Sequence, residues 1–185
     1  RSVYNSMTSR LLVDKIEGKT TANTVQMPSG FIVGYSKSDY TSTSSYSSTD
    51  QVTFDSPLDG TFSYTTKLAS SLLRVHVHFA PVRHFQTWET HAFRMFHSTS
   101  GSGGSYTQFY LGTNLAYLEG YSLNSNNLDL HGHISAGGAG TTYNIKVTVE
   151  GQTNGRTFQA NRYRIDSETD VDDANSFISV MEVAQ

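Results

Sequence analysis

The chain has 185 residues, no cysteine and a formal net charge of −3 at neutral pH. That length buries roughly 70% of the unfolded surface and supports one self-sufficient core, while the missing thiols exclude disulfides, thiolate metal sites and thiol catalysis. The slightly acidic balance offers no basic footprint for nucleic acid or an anionic membrane, and no apolar run reaches membrane-spanning length. Ser, Thr, Gly, Tyr and Phe dominate with few charges, which favours strands joined by polar loops.

No signal peptide is expected. Met7-Thr8-Ser9 would make a natural start, so Arg1 to Ser6 are set aside as an upstream remnant. Leu11, Leu12, Val13 and Ile16, then Val25 and Met27, form two short apolar runs ended by Gly18 and by Pro28-Ser29-Gly30. Each is too short to make its own core. Residues 1–30 are therefore read as an N-terminal extension for docking or assembly, and 31–185 as the domain.

Phe31-Ile32-Val33-Gly34-Tyr35 predicts the first domain strand, and the Ser/Thr/Tyr-rich residues 36–50 predict a polar loop. Gln51 to Phe54 predicts a short strand, stopped by Pro57 and a turn at Asp59-Gly60. Leu72 to Phe79 is the strongest internal strand, with Leu73, Val75, Val77 and Phe79 on one face and Leu72, Arg74, His76 and His78 on the other. Pro81 is expected to end it. Trp88 to Phe96 and Tyr106 to Leu111 predict a hairpin across the Gly/Ser-rich residues 98–105. Tyr117 to Tyr121 and Leu128 to Ile134 follow as strands, then a Gly-rich turn at 137–140. Thr142 to Glu150 turns Tyr143, Ile145, Val147 and Val149 inward, and Asn154-Gly155 predicts a hairpin whose return strand is Arg156 to Tyr163. An acidic loop, 166–173, leads to the last strand.

That last strand, 176–183, sends Phe177, Ser179, Met181 and Val183 one way and Ile178, Val180 and Glu182 the other. Apolar residues on both faces predict a central strand, with Glu182 at a margin or in a pair. The earlier strands must leave a gap to receive it. No helix-period segment of useful length occurs. Many short strands separated by turn signals predict an all-β, antiparallel jelly-roll sandwich with a short N-terminal β extension.

Several passages in shared order carry a resemblance. Thr142 to Glu150, then Phe158-Gln159-Ala160-Asn161-Arg162, the acidic loop and Ile178-Ser179-Val180-Met181-Glu182-Val183 resemble the C-terminal jelly roll of bacteriophage structural proteins. Leu11 to Gly18 and Val25 to Gly30 are similar to the N-terminal leader of small virion proteins of marine phages. That family is similar in fold to tumour-necrosis-factor-like and complement-globular-head domains. The resemblance implies a homotrimer, a virion location after assembly in the host cytoplasm, and other virion proteins of tail or capsid as partners through the extension.

The candidate chemistry is sparse. His76-Val77-His78 and His131-Gly132-His133 each place two imidazoles on one strand face, where they could offer two nitrogens to a metal. No cysteine or carboxylate pattern accompanies them, so they are read as surface or interface histidines, able to make assembly pH-sensitive. The acidic loop lacks the glycine and terminal glutamate of a calcium loop and is read as solvated. No metal, cofactor or catalytic residue is assigned. There is no Gly-x-Ser-x-Gly elbow, and a carboxylate pair from Glu89, Glu119 or Asp129 would need geometry to recommend it. Tyr35, Tyr40, Tyr46, Tyr106, Tyr110, Tyr117 and Tyr121 are read mainly as strand-face packing and secondarily as contacts to sugars or proteins.

The expectation is a non-enzymatic phage structural protein, a trimeric fibre or appendage involved in host attachment through a surface glycan or protein. Alternatives are a capsid decoration or head-fibre protein, or a soluble lectin-like module. Neither nucleic-acid binding nor membrane insertion is expected.

Overall fold

The computed structural model describes residues 29–84, 89–116, 126–151, 158–161 and 176–185. The two apolar runs before residue 29, Trp88, Tyr117 to Tyr121, the Asn154-Gly155 turn and the acidic loop lie outside them. Among the described residues there is no helix. The strands are β1 (Ile32–Asp39), β2 (Ser45–Tyr46), β3 (Val52–Thr53), β4 (Asp59–Thr65), β5 (Ser71–His84), β6 (Glu89–Ser98), β7 (Thr107–Ala116), β8 (Asn126–Ala136), β9 (Thr142–Gly151), β10 (Phe158–Ala160) and β11 (Phe177–Ala184). They form two sheets. The larger runs β1-β11-β5-β10-β2, with β8 on the other edge of β5. The smaller runs β3-β9-β6-β7, with β4 also on β9. All pairings are antiparallel, and the chain passes repeatedly between the sheets. This is the expected jelly-roll sandwich.

The inward faces match the alternation in the sequence. Leu73, Val75, Val77 and Phe79 of β5, Tyr143, Ile145, Val147 and Val149 of β9, and Ile178 and Val180 of β11 are buried. Phe93 and Met95 fill the facing positions of β6. One end of the core is aromatic: Phe54 lies 4.9 Å from Phe79, Phe93 5.1 Å from Phe158, and Tyr40 5.8 Å from Phe79. Such pairs add about 0.5–1.5 kcal/mol each beyond the area they bury.

Several expectations are corrected. Strand β1 continues through residues 36–39, paired with β11, where a loop is predicted. Its inward positions are Gly34, Ser36 and Ser38, so the alternation carries no apolar signal. The polar stretch beyond it contributes Tyr40 and Tyr46 to the core, their hydroxyls 2.8 Å apart. Asp59-Gly60 opens β4 rather than making a turn, and Phe62 and Tyr64 are its inward residues. Pro81 does not end β5. It falls after β5 leaves β11 at His78 and before it meets β10 at Val82, where no ladder hydrogen bond to those strands is lost. Finally, β10 does not return along β9. It crosses to the larger sheet and pairs with β5 and β2.

Strand β11 lies between β1 and β5, as its two apolar faces predict. Glu182, however, is not marginal and pairs with no cation among the described residues. It is fully buried, and its carboxylate accepts from four neutral donors. These are the Tyr64 hydroxyl at 2.8 Å, the Ser71 hydroxyl at 2.8 Å, and the backbone N–H groups of Lys67 at 2.9 Å and Leu68 at 2.9 Å. Burial pushes the Glu182 carboxyl up, but these hydrogen bonds outweigh it and hold the group below its ordinary value. Gly34, cross-strand from Glu182, leaves room for Tyr64. A Cβ there would sit 1.8 Å from the Tyr64 hydroxyl oxygen.

Replacing Glu182 by Gln turns an acceptor into a donor facing other donors. The expected loss in urea denaturation is about 2–4 kcal/mol. Because the folded pKa is depressed, the ionised group's contribution is complete above the unfolded value of about 4.3 and disappears as pH falls through the folded value. The acid limb of a stability–pH profile should therefore be shallower in Glu182→Gln than in the native protein.

Candidate functional site

The outward face of the larger sheet collects the polar chemistry. Register places His78 opposite Asp129, His76 opposite His131 and Arg74 opposite His133 across β5 and β8, and β11 sets Phe177 beside His78 and Ser179 beside His76. Alternation sends all of these side chains away from the core. Both His-x-His pairs thus share one face, as their spacing predicts, and the sheet brings the two pairs together.

The sequence reading missed their partner. Asp129 Oδ1 lies 2.7 Å from His76 Nε2 and 2.8 Å from His78 Nδ1, one carboxylate oxygen serving two imidazoles. Among the described residues, these three are the one group whose potential ligand atoms all lie within 4.8 Å of one another. A signal existed: Asp129, His131 and His133 alternate on one strand face. The β5–β8 register that sets Asp129 against His76 and His78 is not visible in either segment alone.

Aromatic contacts fix the rings. His76 stacks on His131 with centroids 4.3 Å apart and planes 18° apart. Phe177 meets His76 edge-on at 5.2 Å and stacks on His78 at 5.3 Å. Lys37 sits 4.7 Å over the Phe177 ring and pairs with Asp39 at 2.8 Å. Burial pushes the Asp129 carboxyl up, yet the hydrogen bonds from His76 and His78 prevail and hold it below the carboxylate range. Two imidazole nitrogens and a carboxylate oxygen can share protons or hold a divalent cation.

The other candidates do not converge. Glu89 lies on β6 in the smaller sheet and Asp129 on β8 in the larger, while Glu119 and the acidic loop lie outside the described residues. Of the tyrosines, Tyr40 and Tyr46 are core residues, and Tyr35 is exposed on the outer sheet face. Tyr106 donates to the Ser102 carbonyl and carries Lys146 over its ring at 4.1 Å. Tyr117 and Tyr121 lie outside the described residues.

No protein-family model and no curated protein matches the chain. Thirteen chains of solved structures match it, and two of them show how distant the likeness is. Eiger TNF from S. frugiperda aligns over 65% of this chain and 62% of its own, at 8% identity and a TM-score of 0.32. Dimeric latent PorU from Porphyromonas gingivalis aligns over 92% of this chain and 14% of its own, at 10% identity and a TM-score of 0.43. The chain therefore spans less than two thirds of either protein. At these scores the jelly-roll assignment rests on strand order and pairing.

Between His131 and His133, Gly132 faces the opposite sheet. A Cβ there would lie 2.6 Å from Phe109 Cε2 and 2.8 Å from Met95 Cε. Gly132→Ala should force the Phe109 ring to move and destabilise the fold by about 1–3 kcal/mol, read from the midpoint of chemical denaturation.

Proposed function

We propose that the chain is a non-enzymatic structural subunit of a bacteriophage particle, acting as a homotrimer in a fibre or appendage that contacts the host surface. The composition of the outer face of the larger sheet carries this reading. Ile32 and Tyr35 are 54% and 57% exposed there, beside the partly buried Leu72, Phe177 and Met181. Charges on the same face are few: Lys37 pairs with Asp39, Asp129 meets two histidines, and Arg74 is exposed beside Met181. Aromatic and Met side chains are enriched at interface centres, and the β1–β11 side of this face, with Ile32, Tyr35, Phe177 and Met181, suits association.

The occupant we assign is two further copies of this chain. The threefold count follows from the resemblance to tumour-necrosis-factor-like domains. With that face turned to the axis, the turns at 99–106 and 137–141 remain free to meet a glycan or protein on the host, and residues 1–30 serve to dock on other virion proteins of tail or capsid.

Light scattering at neutral pH should give a mass three times the 20.4 kDa of one chain. Tyr35→Glu and Met181→Lys place charge in the contact and should each yield a folded monomer. A monomeric native protein would overturn the trimer. Mass spectrometry of purified particles tests the virion placement, and absence of the chain from them would overturn that.

A further inference from the structure

We propose that His76, His78 and Asp129 form a binding site for a divalent transition metal ion of the zinc class. The donor set is two imidazoles and one carboxylate, which suits a borderline cation and leaves the fourth position of a tetrahedron to solvent. The geometry is close to what such an ion needs. The two nitrogens lie 2.7 and 2.8 Å from Asp129 Oδ1. Ligands about 2.0–2.1 Å from a tetrahedral centre stand roughly 3.3 Å apart, so small side-chain rotations open the cluster enough to admit the ion. The donors lie on two paired strands in fixed register.

The surroundings favour the bound arrangement. Phe177 touches both imidazoles and His131 stacks on His76, so ring orientation is set before any ion arrives. Of the cations on this face, Lys37 is turned onto Phe177 and paired with Asp39, and Arg74 stands opposite His133, outside the donor set. All three donors come from one chain, so the same titration on the monomeric Tyr35→Glu variant tests the site separately from the trimer.

The test uses chelator-treated full chain titrated with Zn²⁺ in a calorimeter at neutral pH. One ion per chain is expected, with the thermal midpoint raised at saturating Zn²⁺. Binding should weaken as pH falls through the imidazole range, since both nitrogens must lose their protons. His76→Gln and Asp129→Asn should each weaken binding about tenfold or more, whereas His133→Gln, on the same face but outside the cluster, should leave it unchanged. These side chains point away from the core, and a native circular dichroism spectrum checks each fold. Co²⁺ in place of Zn²⁺ should give the intense visible bands of a four-coordinate site. Absence of saturable binding, or equal weakening by His133→Gln, or binding that survives the loss of both His76 and Asp129, would overturn the site.

Discussion

The carboxylate of Glu182 is the constraint on which one end of the sandwich depends. A charge at a fully buried position costs several kcal/mol unless its lone pairs are filled. Here they are filled by hydroxyls from Tyr64 of β4 and Ser71 of β5 and by two amides of the turn between those strands. A single side chain on β11 thus ties its own sheet to β4 in the other sheet. It also dictates Gly34 on β1, because the Tyr64 ring must pass close to that backbone. With β11 between β1 and β5, the position and register of three neighbouring strands are set around one ion.

At the opposite end polar groups are satisfied by hydroxyls, an amide and the Asp55 carboxylate. Tyr40 and Tyr46 share a hydroxyl contact, and Asp55 accepts from Tyr46 at 3.1 Å. Burial raises both tyrosine pKa values, which keeps their hydroxyls protonated as donors. Asn161, in the left-handed region with φ of 59°, donates to the carbonyls of Tyr40 and Ser42. The run of Ser, Thr and Tyr after β1 is therefore held by a polar network wrapped around an aromatic cluster. Between these two ends, the larger sheet turns histidine, aspartate and aromatic side chains outward.

Where the sequence misled, the cause was physical in each case. Ser36 and Ser38 occupy inward positions of a strand, and small polar residues there erase the alternation that announces one. Strand β4 was obscured by Pro57 and Asp59-Gly60, which read as punctuation but stand at the start of a bulged strand. Pro81 is tolerated because β5 changes partner around it. The destination of β10 was hidden because a hairpin signal reports local chain reversal and says nothing of which sheet the next strand joins.

The sequence by itself determined what depends on nearest neighbours along the chain. Alternation assigned the faces of β5, β9 and β11, put both His-x-His pairs on strand surfaces, and made β11 a central strand, because side-chain direction in a strand follows from the backbone repeat. Only the tertiary structure decided what depends on register between distant segments. Asp129 meets His76 and His78 from 53 and 51 residues away, and Glu182 meets Tyr64 from 118. Local pattern carries no information about those offsets. They follow from which strands pair and how far each slides before the inward faces of two sheets close on a common core.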